Sequence, residues 1–353
     1  MTTYYNRRKF ILKSTIYLSG ISFGLATCVN DDTEILAGVK EFLFKTANKD
    51  GSFRPGIDPN YLGNSDTALS GMAAPAYATI IATTFGWSLP YADATIDFLL
   101  SCQKNDGSFY PPTGSMDHDT PLARLYNTVQ GVLALRLLGK NPRYDTMPVI
   151  NWFFREDEFT DLPLYTTSFF PLYFAVVGKP MPDYIDKRMR EYILNEQATD
   201  GYLRDHVANT FHAAHYFRMI GEPTPRARAM VDRVLNDQKE DGSWSLWEPD
   251  WDVHACFDAL FILRQLGDPK DPRITSAFNK ATDWILTCRK SDGGFAHFPD
   301  QLHSDMDAVY FHVGALAAAG HLAMSPDLEN EEILGWGHAM NPDETYSCLA
   351  PEG

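Results

Sequence analysis

The stretch Phe98-Leu99-Leu100-Ser101-Cys102-Gln103-Lys104-Asn105-Asp106-Gly107-Ser108-Phe109 closes one helical run and opens a loop. Its last four residues recur. Copies stand at Asp50-Gly51-Ser52-Phe53, Asp200-Gly201-Tyr202, Asp241-Gly242-Ser243-Trp244 and Asp292-Gly293-Gly294-Phe295. A mark that returns along a chain signals an internal repeat. The first two marks are 56 residues apart, the last two gaps are 41 and 51, and the gap from second to third is 94. That long gap predicts a degenerate copy at Arg155-Glu156-Asp157-Glu158-Phe159, and six units in all.

Each unit reads as two helices. The first ends at the mark, where glycine supplies a left-handed stop. These are expected over Glu34–Ala47, Tyr91–Gln103, Thr146–Arg155, Tyr184–Gln197, Pro225–Gln238 and Ile274–Arg289. The second is more apolar: Ser65–Phe85, Tyr126–Leu138, Tyr165–Val177, Ala208–Ile220, Asp252–Leu266 and Asp307–Ala319, stopped by Gly86, Gly139, Gly178, Gly221, Gly267 and Gly320. A helix apolar nearly all round must be buried, while its partner keeps a wet face. Six of each predict an all-α protein, a closed (α/α)6 toroid. Closure removes the terminal units that an open stack must cap.

The marks also carry a resemblance. Phe98, Leu99, Gln103, Gly107 and Phe109 match the spacing of the QW repeat of terpenoid cyclases, and Leu235, Gln238, Gly242 and Trp244 match most of it. The chain, over about residues 34–322, resembles the terpenoid cyclase and protein prenyltransferase toroid superfamily. The resemblance implies an enzyme, a transferase or cyclase, acting on an isoprenoid or other hydrophobic substrate, with zinc assistance as one form of it.

A net charge of −16 over 353 residues argues against a nucleic-acid partner. No protein partner is expected. Arg7-Arg8-Lys9-Phe10 resembles a twin-arginine export signal, and Ile16–Ala26 is an apolar run too short to span a bilayer. Leu25-Ala26-Thr27-Cys28 resembles a lipoprotein cleavage box, with Thr27 a departure. The expected division is an export signal over 1–28, the toroid over 29–325 and an acidic tail over 326–353. The expected location is the periplasm, or a membrane held through lipidated Cys28. Cys102 and Cys288 share a frame on non-neighbouring outer helices, so they read as buried packing rather than a disulfide.

Inner-helix starts converge on the axis of a toroid, and the fifth and sixth are the most polar. The fifth carries Asp250, Asp252, His254, Cys256 and Asp258; the sixth carries His303, Asp305, Asp307, Tyr310 and His312. Asp, His and Cys are zinc ligands. His254 and Cys256 occupy the frame of the Asp-x-Cys pair that protein prenyltransferases use, and His312 that of their distant histidine. Asp252 is the rival ligand, sharing a helical face with Cys256. Asp305-Met306-Asp307-Ala308 resembles the Asp-x-Asp-Asp motif of cyclases that protonate alkenes, without its last acid. Asp250-Trp251-Asp252 and Asn64-Ser65-Asp66 are weaker likenesses. The resemblance assigns acid chemistry to Asp252, Asp305 and Asp307. It assigns a substrate cavity to Tyr126, Tyr165, Phe169, Phe257 and Tyr310, whose rings would stabilise cations.

Two other functions fit a toroid. Polysaccharide processing needs paired carboxylates across a cleft, with Asp117 and Asp119 among the candidates. A non-catalytic ring could hold a lipid or peptide.

Overall fold

The computed structural model describes residues 31–246, 252–325 and 336. Thirteen α-helices are described, and among the described residues the only strand-like pairing is a handful of isolated bridges. The outer helices are α1 (Asp31–Thr46), α4 (Ala92–Cys102), α6 (Met147–Arg155), α8 (Asp183–Glu196), α10 (Ala227–Asp237) and α12 (Pro272–Thr287). The inner set is α2 (Asp66–Leu69) with α3 (Ala73–Thr84), then α5 (Pro121–Leu137), α7 (Phe169–Val177), α9 (Val207–Met219), α11 (Asp252–Leu266) and α13 (Met306–Ala318). Neighbouring inner helices pack in sequence, and α13 returns onto α3. The expected toroid is therefore the fold, with α13 against α3 as its seam.

The two helix classes differ as their sequences require. Every residue of α11 from Ala255 to Leu263 is buried, so this helix is covered on all sides. In α12 the buried residues are Ile274, Ala277, Ala281, Trp284 and Ile285, a single stripe facing inward. The bulky side chains of α7, Phe169, Phe170, Leu172, Tyr173 and Phe174, are also fully covered. Each such burial contributes roughly 1.5–3 kcal/mol.

The Asp-Gly marks act as clasps between units. Asp106 Oδ1 accepts from the backbone N–H and the hydroxyl of Ser108, tightening the turn. Gln103 then reaches back and across. Its amide donates to the carbonyls of Gly107 and Tyr144, and its oxygen accepts from Tyr144 N–H. Gln197 and Gln238 repeat this onto Pro225 and Ala277 of the next units. Gly107 has φ +93°, and a Cβ there would lie 2.1 Å from the Asp145 carbonyl oxygen. The last clasp closes the ring: a Cβ on Gly293 would lie 2.4 Å from the carbonyl oxygen of Gly38 in α1.

The degenerate third mark is where it is expected. The helix stops at Arg155, and Asp157 takes the left-handed backbone (φ +69°) that glycine supplies elsewhere. Two expectations change. The first inner helix is broken at Ser70-Gly71, because Gly71 N–H bonds to Thr113 of the second unit's long loop. Gly267 closes α11 without a positive φ, unlike the other five glycine stops. Cys102, Cys256 and Cys288 are buried and in no disulfide among the described residues, and Cys28 and Cys348 lie outside those residues, as does the whole 1–28 segment.

Candidate active site

Three carboxylic side chains, Asp66, Asp305 and Asp307, are completely buried at the seam. They come from opposite ends of the chain: Asp66 opens α2, Asp305 caps α13, and Asp307 sits in its first turn. No lysine or arginine is buried among the described residues. The carboxyls must therefore be neutralised by protons, hydrogen bonds or a bound ion.

Their surroundings differ. Asp305 is a latch across the seam. It accepts from Asp307 N–H (2.7 Å), Asn64 N–H (3.0 Å) and Thr67 Oγ1 (3.0 Å), and from the hydroxyl of Tyr61. Asp66 accepts from the hydroxyls of Tyr77 and Tyr126. Asp307 has the poorest supply. Its Oδ2 faces His254 Nε2 at 3.4 Å and His297 Nε2 at 3.6 Å, the Ser65 hydroxyl reaches its carboxyl, and its Oδ1 has no hydrogen-bond partner among the described residues.

The titration of these groups follows from that supply. Burial pushes Asp305 up to about 7, opposed by its four donors. Burial raises Asp307 well above the carboxylate range, and the charges of Asp66 and Asp305 raise it further. Burial holds His254 well below its ordinary value, with His297 next in effect, and pushes His297 down to about 3. Burial and the neighbouring acids thus favour the protonated form of Asp307, and burial favours the neutral form of the imidazoles beside it. Ser65 pays for its place with a left-handed backbone, φ 53° and ψ −132°. Its hydroxyl spans His254 Nε2 (3.1 Å) and Asp307.

The expected residues meet different fates. Asp305, Asp307 and His254 converge. Asp252 opens α11, but its side chain lies outside the described residues, as do Asp250 and Trp251. The expected zinc set of His254, Cys256 and His312 does not assemble. His312 Nε2 bonds to the Ala296 carbonyl (3.1 Å), and its ring packs on Trp284 of α12, away from the acids. Cys256 is core packing. The three side chains whose ligand atoms do converge, all within 4.8 Å of one another, are His297, Asp305 and Asp307.

Tyr126, Tyr165, Phe169, Phe257 and Tyr310 are fully buried and pack on other rings. Tyr77 stacks on Tyr310 at 4.0 Å and Tyr310 on Trp336 at 4.7 Å, a column that descends from Asp66. Tyr165 and Phe169 face His212 on the opposite wall. A cleft of about 350 Å³ beside Lys40, Phe85 and Trp87 shares no residue with the site. Asp117 and Asp119 are exposed on a surface turn, so they form no paired-carboxylate cleft.

Sequence reasoning missed Asp66 as a partner of the sixth unit, and it missed His297, Tyr77 and Tyr61. A histidine two residues beyond the aromatic of the sixth mark, found in no other unit, was the available signal for His297.

A prenyltransferase alpha-alpha toroid domain matches residues 10–135 and 132–341. The chain belongs to this family. Within it, the chain is 33% identical over 82 residues to a squalene–hopene cyclase from Zymomonas mobilis, which is 23% of this chain and 12% of that protein's length. A type II terpene cyclase from Scytonema, solved with merosterolic acid A, superposes with a TM-score of 0.56 at 14% identity, over 85% of this chain and all of that one. Candida albicans protein geranylgeranyltransferase-I complexed with GGPP gives 0.50 at 14%, over 81% and 93%. A glycosidase gives 0.56 at 10%, over 84% and 99%. At these identities the structural likeness is one of fold, which hosts several chemistries.

Proposed function

We propose that this toroid is an enzyme that protonates an apolar, isoprenoid-type alkene, with Asp307 as the acid. One observation carries the reading: a fully buried carboxyl, held protonated by burial and by Asp66 and Asp305, with one oxygen unsatisfied. Its proton passes to an alkene carbon and the alkene becomes a carbocation. The new carboxylate is met by the Ser65 hydroxyl and by His254. The rings of Tyr77, Phe257, Tyr310 and Phe311 lie beside the acids and form an electron-rich, apolar wall for the cation. Loss of a proton, or capture of water, ends the reaction and returns the balance. Domain membership and the isoprenoid ligands named for the Scytonema and Candida proteins support a hydrophobic substrate.

A second reading rests on the convergence of His297, Asp305 and Asp307: a divalent ion on these three would neutralise the carboxyls in place of protons. The test is incubation of purified protein with squalene and geranylgeraniol, with metal analysis alongside. Products isomeric with the substrate, lost in Asp307→Asn and formed by metal-free protein, establish the acid. Stoichiometric metal that His297→Ala abolishes establishes the ion instead.

Export through the twin-arginine pathway, with lipidation at Cys28, also belongs to this proposal. Replacing Arg7 and Arg8 by lysine is expected to retain the protein inside the cell. Cys28→Ala is expected to release it from membranes.

A further inference from the structure

In five units the glycine that stops the inner helix is followed by a polar residue: Lys140, Lys179, Glu222, Asp268 and His321. In the first unit that residue is Trp87. Gly86 turns through the left-handed region (φ +69°), and the rings on either side of it, Phe85 and Trp87, stack at 5.2 Å. Helix α1 departs in a matching way. Its core stripe is Ile35, Val39, Phe42 and Leu43. Leu36, Lys40 and Phe44, spaced by four, form a second face, and Phe44 is 45% exposed.

The two departures meet in one cleft of about 350 Å³ on the seam. Helix α3, 12 residues long, puts roughly 18 Å between it and the end of the ring that holds the acids. The walls come from three segments, residues 36–40, 85–87 and 323–325. These belong to both ends of the chain, so the cleft exists only in the closed ring. Ser325 N–H donates to the Thr84 carbonyl at 2.9 Å and holds the third wall in place.

The chemistry of the cleft is narrow. Leu36, Phe85, Trp87 and Met324 give it an apolar floor, and Lys40 is the one charged residue that lines it. The Lys40 ammonium lies 5.7 Å from the Trp87 ring centroid and 5.9 Å from that of Phe44, and no described carboxylate pairs with it. An apolar cleft of this size with a single charged group suits a small amphipathic molecule. A phosphate would call for several donors. One ammonium beside an apolar floor matches a monoanion with an apolar tail.

We propose that this cleft binds a medium-chain monocarboxylate, its carboxylate on Lys40 and its alkyl chain along Trp87, Phe85 and Leu36, and that the bound molecule braces the seam. The site is separate from the acids and does not depend on the proton step. A ligand that binds only the closed ring stabilises that ring by mass action.

The experiment is calorimetric titration of full-length protein with decanoate and with decanol. The variants are Lys40→Gln, Lys40→Arg and Ala37→Phe, the last adding a ring to the cleft from an exposed position. Decanoate is expected to bind wild type and Lys40→Arg alike, and Lys40→Gln about fivefold more weakly. Decanol should not distinguish these three, and Ala37→Phe should lose both ligands. Decanoate at ten times its Kd should raise Tm by about 2 °C. It should also slow hydrogen exchange in α1 and α3 more than in α6 and α8. Three results overturn the proposal: no decanoate binding by wild type, binding that Lys40→Gln and Ala37→Phe leave unchanged, or exchange slowed evenly around the ring. A wild-type dimer that Ala37→Phe dissociates overturns it as well, and makes the cleft a seat for a second copy of the chain.

Discussion

Replacing Asp307 by asparagine should abolish proton donation and make the protein more stable. An aspartyl side chain ordinarily titrates near 3.8, and burial holds Asp307 protonated far above that. Between those values the folded chain keeps a proton that the unfolded chain releases, so stability falls as pH rises. From about pH 4 upward that costs the folded state about 1.36 kcal/mol per pH unit until Asp307 itself ionises. Asparagine has the same shape and no such deficit. Its amide replaces an O–H beside Asp66 and His254 imperfectly, which returns about 1–2 kcal/mol. The gain therefore grows by about 1.4 kcal/mol per pH unit, or roughly 2 °C in Tm per pH unit for a chain of this size. Calorimetry of the pair from pH 4 to 8 is the assay. The gain should be largest at pH 8 and shrink as pH falls through 4, where the unfolded wild-type aspartate also takes up its proton and the amide's cost of about 1–2 kcal/mol is what remains. A destabilised variant at pH 8, or a difference that ignores pH, refutes the protonated acid and points to a bound cation. Conversion by wild type should likewise hold at low pH and decline as Asp307 ionises.

Thr67→Val removes a hydroxyl donated to buried Asp305. It should cost about 2–3 kcal/mol in urea unfolding at pH 8, and less at pH 5, where Asp305 is protonated. Gly293→Ala forces a methyl toward Gly38 at a positive φ, so the seam should loosen by about 3 kcal/mol or more. Hydrogen exchange of α1 and α13 amides would report it before global unfolding does. Cys256→Ala should cost only about 1–2 kcal/mol of packing and leave any bound metal unchanged, whereas loss of metal in that variant alone would restore the thiolate as a ligand.

Much of the ring is legible in the chain because it is built from local rules. The Asp-Gly marks, the glycine stops and the contrast between all-apolar and one-faced helices each act within about fifty residues. Asp305-Met306-Asp307 was legible as an acid motif for the same reason. The pairing of His254 was not. The resemblance to protein prenyltransferases placed it with Cys256 and His312, whereas side-chain direction on α11 and α13 sends His254 to Ser65 and Asp307, and His312 to Ala296. Asp66 was read only as a weak likeness of that acid motif at a helix opening, because its meaning depends on Asp307 at the other end of the chain. The break at Ser70-Gly71 is similarly non-local, since it is imposed by a loop of the second unit.

The clasp of Gly293 on Gly38 makes ring closure a chemical event as well as a geometric one. Before it forms, Asp66 and Asp307 stand on separate, hydrated ends of the chain, and both are ordinary carboxylates. Bringing the ends together costs about 5 kcal/mol of chain entropy and draws the acids out of water at the same step. Protons must then enter from solvent, so the last turn of assembly is a proton-uptake reaction. A carboxyl that holds its proton this firmly does not exist in a half-made chain. It is created when the circle shuts, and an alkaline medium opposes the shutting.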